Sequence, residues 1–196
     1  MGRPREHDED TRQLLLASAA RLMDADGVAS VSARRVADDA GVTTRAIYSL
    51  FGGMDGVLAE LFRIGAEDMV RRHEAVPRRA DAAEEIMPLA LAFRAAARAR
   101  PEAYSLMYER SVPAFQPPEE AIALLYRCSA RVQDAVERAL TQRGLPTDDA
   151  ERITCGLWAT VHGHSSLELR GLLGPPRAAE AVWRTTIPAI VAATFP

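Results

Sequence analysis

Residues 32–51, SARRVADDAGVTTRAIYSLF, set two short apolar-periodic stretches on either side of a glycine, and this spacing constrains the fold more than any other feature. With Ala33 as the first position of a helix-turn-helix frame, Ala37 fills the small site where two helices touch, and Gly41 falls in the turn. Ile47 plugs the pair from the second helix, and Val36, Val42 and Leu50 complete a shared apolar face. Alanine is needed where backbones approach closely, and glycine where a chain leaves a helix with positive φ. Such a unit crosses its helices steeply and carries the second one into the major groove of DNA. Thr43 is placed to N-cap that second helix, which leaves Thr44, Arg45 and Tyr48 on its outer N-terminal part. Thr43 itself and Arg34 and Arg35 on the first helix join them as expected DNA-binding residues. Ala-Gly pairs with apolar spacing also occur in Ala-rich helical proteins that bind no DNA, so the flanks must decide.

Thr11 to Gly27 reads as an amphipathic helix with Leu15, Ala19, Leu22 and Met23 on one face, closed by a glycine. After Phe51 a Gly-Gly break leads into a helix from Met54 to Arg72, striped by Val57, Leu58, Leu61 and Phe62. Here the chain resembles the TetR/AcrR family of one-component bacterial regulators. That family opens with such a helix, continues through an A-x-x-A-G-V and Y-x-x-F recognition segment, and then passes into a larger ligand domain. The matching residues are Ala37, Gly41, Val42, Tyr48, Phe51 and Leu58. Two positions depart from the family's pattern. Met54 stands where members often carry a lysine at the start of helix 4, and Leu50 where a histidine often precedes the Phe. Each departure removes a possible phosphate contact.

At 196 residues and 21.3 kDa, one DNA-reading unit and one ligand-sized helical domain fit, and nothing larger does. A hydrophobic content of 48% is ample for a core. All 24 basic residues are arginine, and the chain has neither lysine nor asparagine. Both missing residues use A-rich codons, so a GC-rich genome explains the bias better than any binding function does. The net charge of −3 argues against a generally basic nucleic-acid coat. Residues 1–72 carry ten arginines against twelve acidic residues, so location matters more than total. Arg34, Arg35 and Arg45 fall in the helix-turn-helix and Arg3 and Arg5 in an expected arm. Glu6, Asp8, Glu9 and Asp10 fall near the start of helix 1, where they favour its positive dipole end. A local basic face of this size predicts modest non-specific DNA affinity. Gly2-Arg3-Pro4-Arg5 is similar to a minor-groove hook, or is simply a solvated tail. MGRPREHDED lacks the apolar core of a signal peptide and no run of about 18 apolar residues occurs, so a cytoplasmic protein without a membrane partner is expected. Cys128 and Cys155 show no metal spacing and read as buried small hydrophobes in a reducing compartment.

From residue 73 onward only helices are expected, with breaks at Pro77, Pro113, Pro117-Pro118, Gly144-Leu145-Pro146 and Gly174-Pro175-Pro176. The spacing predicts a helix over 82–99 entered or kinked near Pro88, then a short one opened by Pro101 at its first position. A long helix over 119–143 follows, carrying Leu124, Leu125, Cys128, Val132, Val136 and Leu140. Asp148 and Glu151 cap the next, 149–173, and 178–194 is the last, kinked by Pro188. The stretch WATVHGHSSLEL, Trp158 to Leu169, resembles the W-x-x-x-H-G signature of one subgroup of the same family. The resemblance implies that the last two long helices pack against their copies in a second chain as a four-helix interface. Its candidate residues are Val161, His164, Ser165 and Glu168 on the first helix and Val182 and Ile190 on the second. Thr160, Gly163 and Ser165 are small enough for close approach, although an internal core helix would show the same pattern.

Phe93, Tyr104, Met107, Tyr108, Tyr126, Trp158 and His162 are the candidate ligand-binding residues. Pockets between helices of bundles are mostly apolar with a few polar handles, although ordinary core residues would follow the same spacing. His162 is equally a core histidine beside Trp158. His164 and Glu168 lie one turn apart but have no third ligand at suitable spacing, so no metal is expected. No cofactor motif and no catalytic grouping of Ser, His, Asp or paired carboxylates is present, and an enzyme is not expected. These observations predict an all-α homodimeric regulator with a DNA-binding domain over 1–52. Helix 4, 54–72, serves as connector, and residues 73–196 form a ligand-binding and dimerisation domain. Its expected partners are a double-stranded DNA operator and a small lipophilic effector that releases it. The alternative is a helical ligand-binding or scaffolding dimer that has lost DNA binding.

Overall fold

The computed structural model describes residues 4–109, 112 and 114–196. Among them the secondary structure is helical throughout: α1 (Pro4–Asp26), α2 (Ala33–Ala40), α3 (Thr44–Phe51), α4 (Met54–Glu74), α5 (Ile86–Ala99), α6 (Pro101–Tyr108), α7 (Glu119–Gln142), α8 (Ala150–Leu169) and α9 (Pro176–Thr194). Short 3-10 turns stand at Val28–Ser30 and Ala82–Glu85. The all-α expectation is met. The expected break at Pro113 lies outside the described residues, as do Gly2 and Arg3 of the expected arm, while Pro4 and Arg5 begin α1.

Local sequence explains most boundaries. Ser32 caps α2, its hydroxyl accepting from the Arg35 backbone N–H at 3.4 Å. Gly41 ends the helix in the left-handed region at φ 68°, where a Cβ would be strained. Thr43 has the extended backbone of an N-cap, but its side chain makes no capping hydrogen bond to α3. Asp149 likewise caps α8 by position only, so the expected Asp148–Glu151 capping box does not form as drawn. Pro101 opens α6 as expected. Residues 82–85 tighten into a 3-10 turn, so the helix expected from 82 starts as α-helix at Ile86.

The helices gather into two units. The first runs to Ala66 and takes in Arg100–Ile122; the second comprises Glu67–Ala99 and Ala123–Pro196. The expected division had α6 within the domain after residue 73, whereas it packs in the first unit against α1. Glycine also lets α6 approach α4: a Cβ at Gly65 of α4 would lie 2.4 Å from the Cβ of Ala103 of α6. The first unit buries Leu15, Ala19 and Met23 of α1 with Val36, Ala37 and Ile47, and Val57, Leu61 and Phe62 of α4. Leu16 joins them in place of Leu22, which is only half-buried.

The second unit has its own apolar centre. Ala82, Ala83 and Ile86 meet Val136, Ala139 and Leu140 of α7, Ala150 and Leu157 of α8, and Phe195. Two buried charged nodes pin this unit. Glu85, fully buried, accepts from Arg138 at 2.8 Å, Arg131 at 2.7 Å and the backbone N–H of Arg79 at 2.8 Å. Burial opposes its ionisation, yet these donors win and hold its pKa at about 2. In the other node Arg94 of α5 grips Glu168 of α8 at 2.7 and 2.8 Å and also pairs with Glu180 of α9. Trp183 donates its indole N–H to the same Glu168 at 2.8 Å. Of the cysteines, Cys128 is buried as expected and burial pushes its thiol up to about 12, whereas Cys155 is exposed, contrary to expectation.

Candidate nucleic-acid interface

The first unit offers α3 to solvent along one side. Ile47 is fully buried and anchors the helix on α2, so the residues on its opposite side must face out. Thr43, Thr44 and Arg45 are exposed there, and Tyr48 is 62% exposed. The Arg45 side chain makes no ion pair or hydrogen bond among the described residues. An uncommitted guanidinium beside a phenol and two threonines is suited to bases and phosphates.

The other two arginines named from sequence are placed differently. Arg34 is exposed and pairs loosely with Asp38 one turn on, at 3.7 Å. Arg35 reaches back to α1, meeting Asp26 at 2.5 Å and the Ser30 carbonyl at 3.1 Å. Arg21 makes the reciprocal tie from α1 to Asp39 of α2 at 2.5 Å. Arg35 and Arg21 thus join α1 to α2, and each would give up an ion pair to meet a phosphate.

Sequence reasoning missed two features behind α3. Arg12 of α1 donates to the Leu50 carbonyl at 3.1 Å, lies 3.3 Å from Glu60 of α4, and covers the Phe51 ring at 4.5 Å. A hydrogen bond from Arg63 above all, against the cost of burial, and with Arg12 adding to it, holds the Glu60 carboxyl below its ordinary range. Gly56 is the second: a Cβ there would fall 1.8 Å from the Phe51 carbonyl oxygen. No periodicity signals Arg12, but a glycine inside an otherwise helical run is a readable sign of close backbone approach.

The candidate ligand residues divide between the units. Tyr104, Met107 and Tyr108 belong to the first, where Tyr104 is 1% exposed and tilts against Tyr108 at 5.3 Å between ring centres. Phe93, Tyr126, Trp158 and His162 belong to the second. Phe93 is buried, Tyr126 is 72% exposed, and Trp158 stacks on His162 with ring centres 5.3 Å apart.

The candidate interface residues of α8 and α9 are turned largely inward. Val161 and Ser165 are buried within their own unit, and Glu168 is taken up by Arg94 and Trp183. His164 meets the Trp183 edge at 5.3 Å and its Nδ1 lies 2.7 Å from the Thr160 carbonyl oxygen. Val182 is half-buried, and Ile190 packs on the apolar centre. The outward side of α8 carries Cys155, Gly156 and Ala159 instead, and that of α9 carries Ala181, Thr185, Pro188 and Ala189. Among the described residues no group of three potential metal ligands converges, and no helix is long and apolar enough to cross a membrane.

A helix-turn-helix with an exposed second helix, followed by a larger helical unit, is the arrangement of a helix-turn-helix DNA-binding protein. A family model described as bacterial regulatory proteins of the tetR family matches residues 15–61, and a tetracycline-repressor-like C-terminal domain matches 86–190. The chain belongs to the TetR family of DNA-binding transcriptional regulators, which are not enzymes. Similar solved structures include a protein of unknown function from Rhodococcus sp. RHA1, with 25% identity, TM-score 0.77, and 95% of this chain and 96% of that one covered. PfmR of Thermus thermophilus, at 20% identity and TM-score 0.74, covers 90% of this chain and 93% of its own. FadR of Bacillus subtilis in complex with stearoyl-CoA shares the fold at 13% identity and TM-score 0.72, with 92% and 97% covered. A comparison with curated proteins finds no match.

Proposed function

We propose that this regulator is a homodimeric repressor that binds a palindromic operator through α3 and is released by a small lipophilic effector. The observation that carries the DNA reading is the outward row Thr44, Arg45 and Tyr48 on a helix anchored by the fully buried Ile47. Arg45 reads base edges or a phosphate, and the Tyr48 hydroxyl meets a phosphate. Selection of duplexes from a random pool by the full chain, followed by anisotropy titration, tests this. A pseudo-palindromic winner bound far more tightly than its scrambled version is the expected result. Failure to enrich any duplex would favour the second reading, a ligand-binding or scaffolding dimer without DNA affinity. That reading draws on Met54 and on the ion pairs that already occupy Arg21 and Arg35.

Dimerisation is supported by two glycines that the single chain does not explain. Gly156 and Gly163 sit inside α8, where glycine costs roughly 0.5–1 kcal/mol relative to alanine. A Cβ at either would meet nothing within 4 Å. Close approach of a second chain along Gly156, Ala159 and Gly163, with Ala181, Thr185 and Ala189 of α9 beside them, accounts for their presence. Val161, Ser165 and Glu168 then support this seam from within rather than form it, with His164, Val182 and Ile190 at its margin.

The effector side rests on Phe93, Tyr126, Trp158 and His162 of the second unit, rings with few charges, which favour a flat or lipophilic molecule. The stearoyl-CoA bound by FadR supports acyl thioesters as the first compounds to screen. An effector that fits better when the two recognition helices are mis-spaced weakens DNA binding by the factor by which DNA weakens its own.

A further inference from the structure

Arg12 sits on α1, far along the chain from the residues that face DNA, yet it meets the recognition helix and the helix after it at once. Its Nη1 donates to the Leu50 carbonyl at 3.1 Å, its Nη2 lies 3.3 Å from Glu60, and its plane covers Phe51 at 4.5 Å. Leu50 and Phe51 are the last two residues of α3. The final carbonyls of a helix lack intrahelical donors, and a cation is favourable at that end. The forked guanidinium can donate in two directions while stacking on a ring, which an ammonium cannot do.

We propose that Arg12 is a positioning residue for DNA recognition: it clamps the last turn of α3 to α4 through Leu50, Phe51 and Glu60, so that the reach of Arg45 and Tyr48 follows α4. The inference rests on the DNA reading above and deepens it, since it assigns the junction by which a displacement of α4 reaches the recognition helix. Two details isolate the role of Arg12. Glu60 keeps Arg63 as a partner at 2.8 Å when Arg12 is removed, so no carboxylate is stranded. Gly56 already brings α4 onto the Phe51 carbonyl, so the clamp closes a contact that backbone packing has prepared.

The test uses the full chain carrying Arg12→Met, Arg12→Lys or Glu60→Gln. Three readouts are compared: amide hydrogen exchange in α2 and α3, affinity for the selected operator and its scrambled version, and the salt dependence of both. Arg12→Met is expected to speed exchange in the last turn of α3 and weaken the operator complex by about tenfold, the size of one lost charge-assisted hydrogen bond. Exchange in α2, affinity for the scrambled duplex and the salt slope stay unchanged. Arg12→Lys falls between wild type and Arg12→Met, and Glu60→Gln shows the same pattern at smaller size. Unchanged exchange and unchanged operator affinity would overturn the proposal. So would an equal loss on both duplexes with a salt slope shallower by roughly 0.9 per lost contact, which marks a direct phosphate contact. Should Arg12→Met fail to fold, Arg12→Lys and Glu60→Gln decide by the same readouts. A wild-type chain that selects no duplex removes the DNA reading, and exchange in α3 then decides the clamp by itself.

Discussion

Arg45 stands exposed near the start of α3 with no ion pair among the described residues, whereas Arg35 commits its guanidinium to Asp26 and the Ser30 carbonyl. The two therefore answer differently to alanine. Arg45→Ala is expected to cost about 1–3 kcal/mol on the best operator and little on scrambled DNA, as loss of a base contact does. Tyr48→Phe weakens both duplexes evenly, because a phosphate contact carries no sequence information. Arg35→Ala costs up to about 1 kcal/mol of folding stability, the range for an exposed pair. Anisotropy titrations beside thermal melts separate these outcomes, and equal losses for Arg45→Ala on both duplexes would count against base reading. Glu85 makes a separate prediction at this scale. Its carboxyl lies at about 2 in the fold against an ordinary value of 4.5, so its contribution is complete above pH 4.5 and fades as pH falls towards 2. The shift corresponds to about 3 kcal/mol at neutral pH. Glu85→Gln is therefore expected to lag wild type by about that much at pH 7, with the gap narrowing below pH 4.5 in denaturant titrations.

At the scale of the elements, the four glycines inside α4 and α8 divide by what surrounds them. Gly56 and Gly65 of α4 lie against the Phe51 carbonyl and the Ala103 side chain. Adding a methyl at Gly65 forces α4 and α6 apart, and Gly65→Ala is expected to destabilise the chain by about 1–3 kcal/mol, the usual cost of overpacking. Gly163 of α8 has open space around it in the single chain. Gly163→Ala should stabilise the isolated protomer by up to about 1 kcal/mol through helix propensity. It should weaken association at the same time if a second α8 crosses there. Thermal melts across a range of protein concentrations read both effects, and a Gly163→Ala dimer as tight as wild type would speak against a seam at that position.

For the whole molecule, dimerisation and DNA binding are linked, because a palindromic site needs two recognition helices about 34 Å apart, or a multiple of that. Ala159→Arg places a charge on the outward side of α8 without touching either apolar centre. It is expected to give a monomer in sedimentation with unchanged helical content, and operator binding should fall with it. A substitution at Val161 would not make this test, since that side chain is buried in its own unit and its loss acts on folding. The effector side has a similar constraint. Trp183 is fully buried and donates to Glu168, so its replacement would disturb the Arg94 node, while Trp158 is 45% exposed. The informative variant is Trp158→Phe: a fluorescence change on adding lipophilic compounds is expected in wild type and lost in the variant. DNA release over the same concentration range completes the expectation.

The sequence by itself determined the helix-turn-helix, because its requirements are local. A small residue at Ala37, a left-handed glycine at Gly41 and a plug at Ile47 each follow from short-range geometry, and Gly41 adopts φ 68° as that geometry demands. Pro101 at the first position of α6 and the ends of α7 were legible for the same reason. Helical periodicity also separates inner from outer faces, but it does not say which element covers a face. For that reason Val161, Ser165 and Glu168 read from sequence as residues for a partner, and the fold turned them onto their own chain. Helical spacing likewise says nothing of which distant helix a side chain will meet. Only the tertiary structure could join Arg12 to Leu50 and Glu60, draw α6 into the first unit, or set Glu85 among arginines from α7. These contacts join residues far apart in the chain, and no local pattern encodes their meeting.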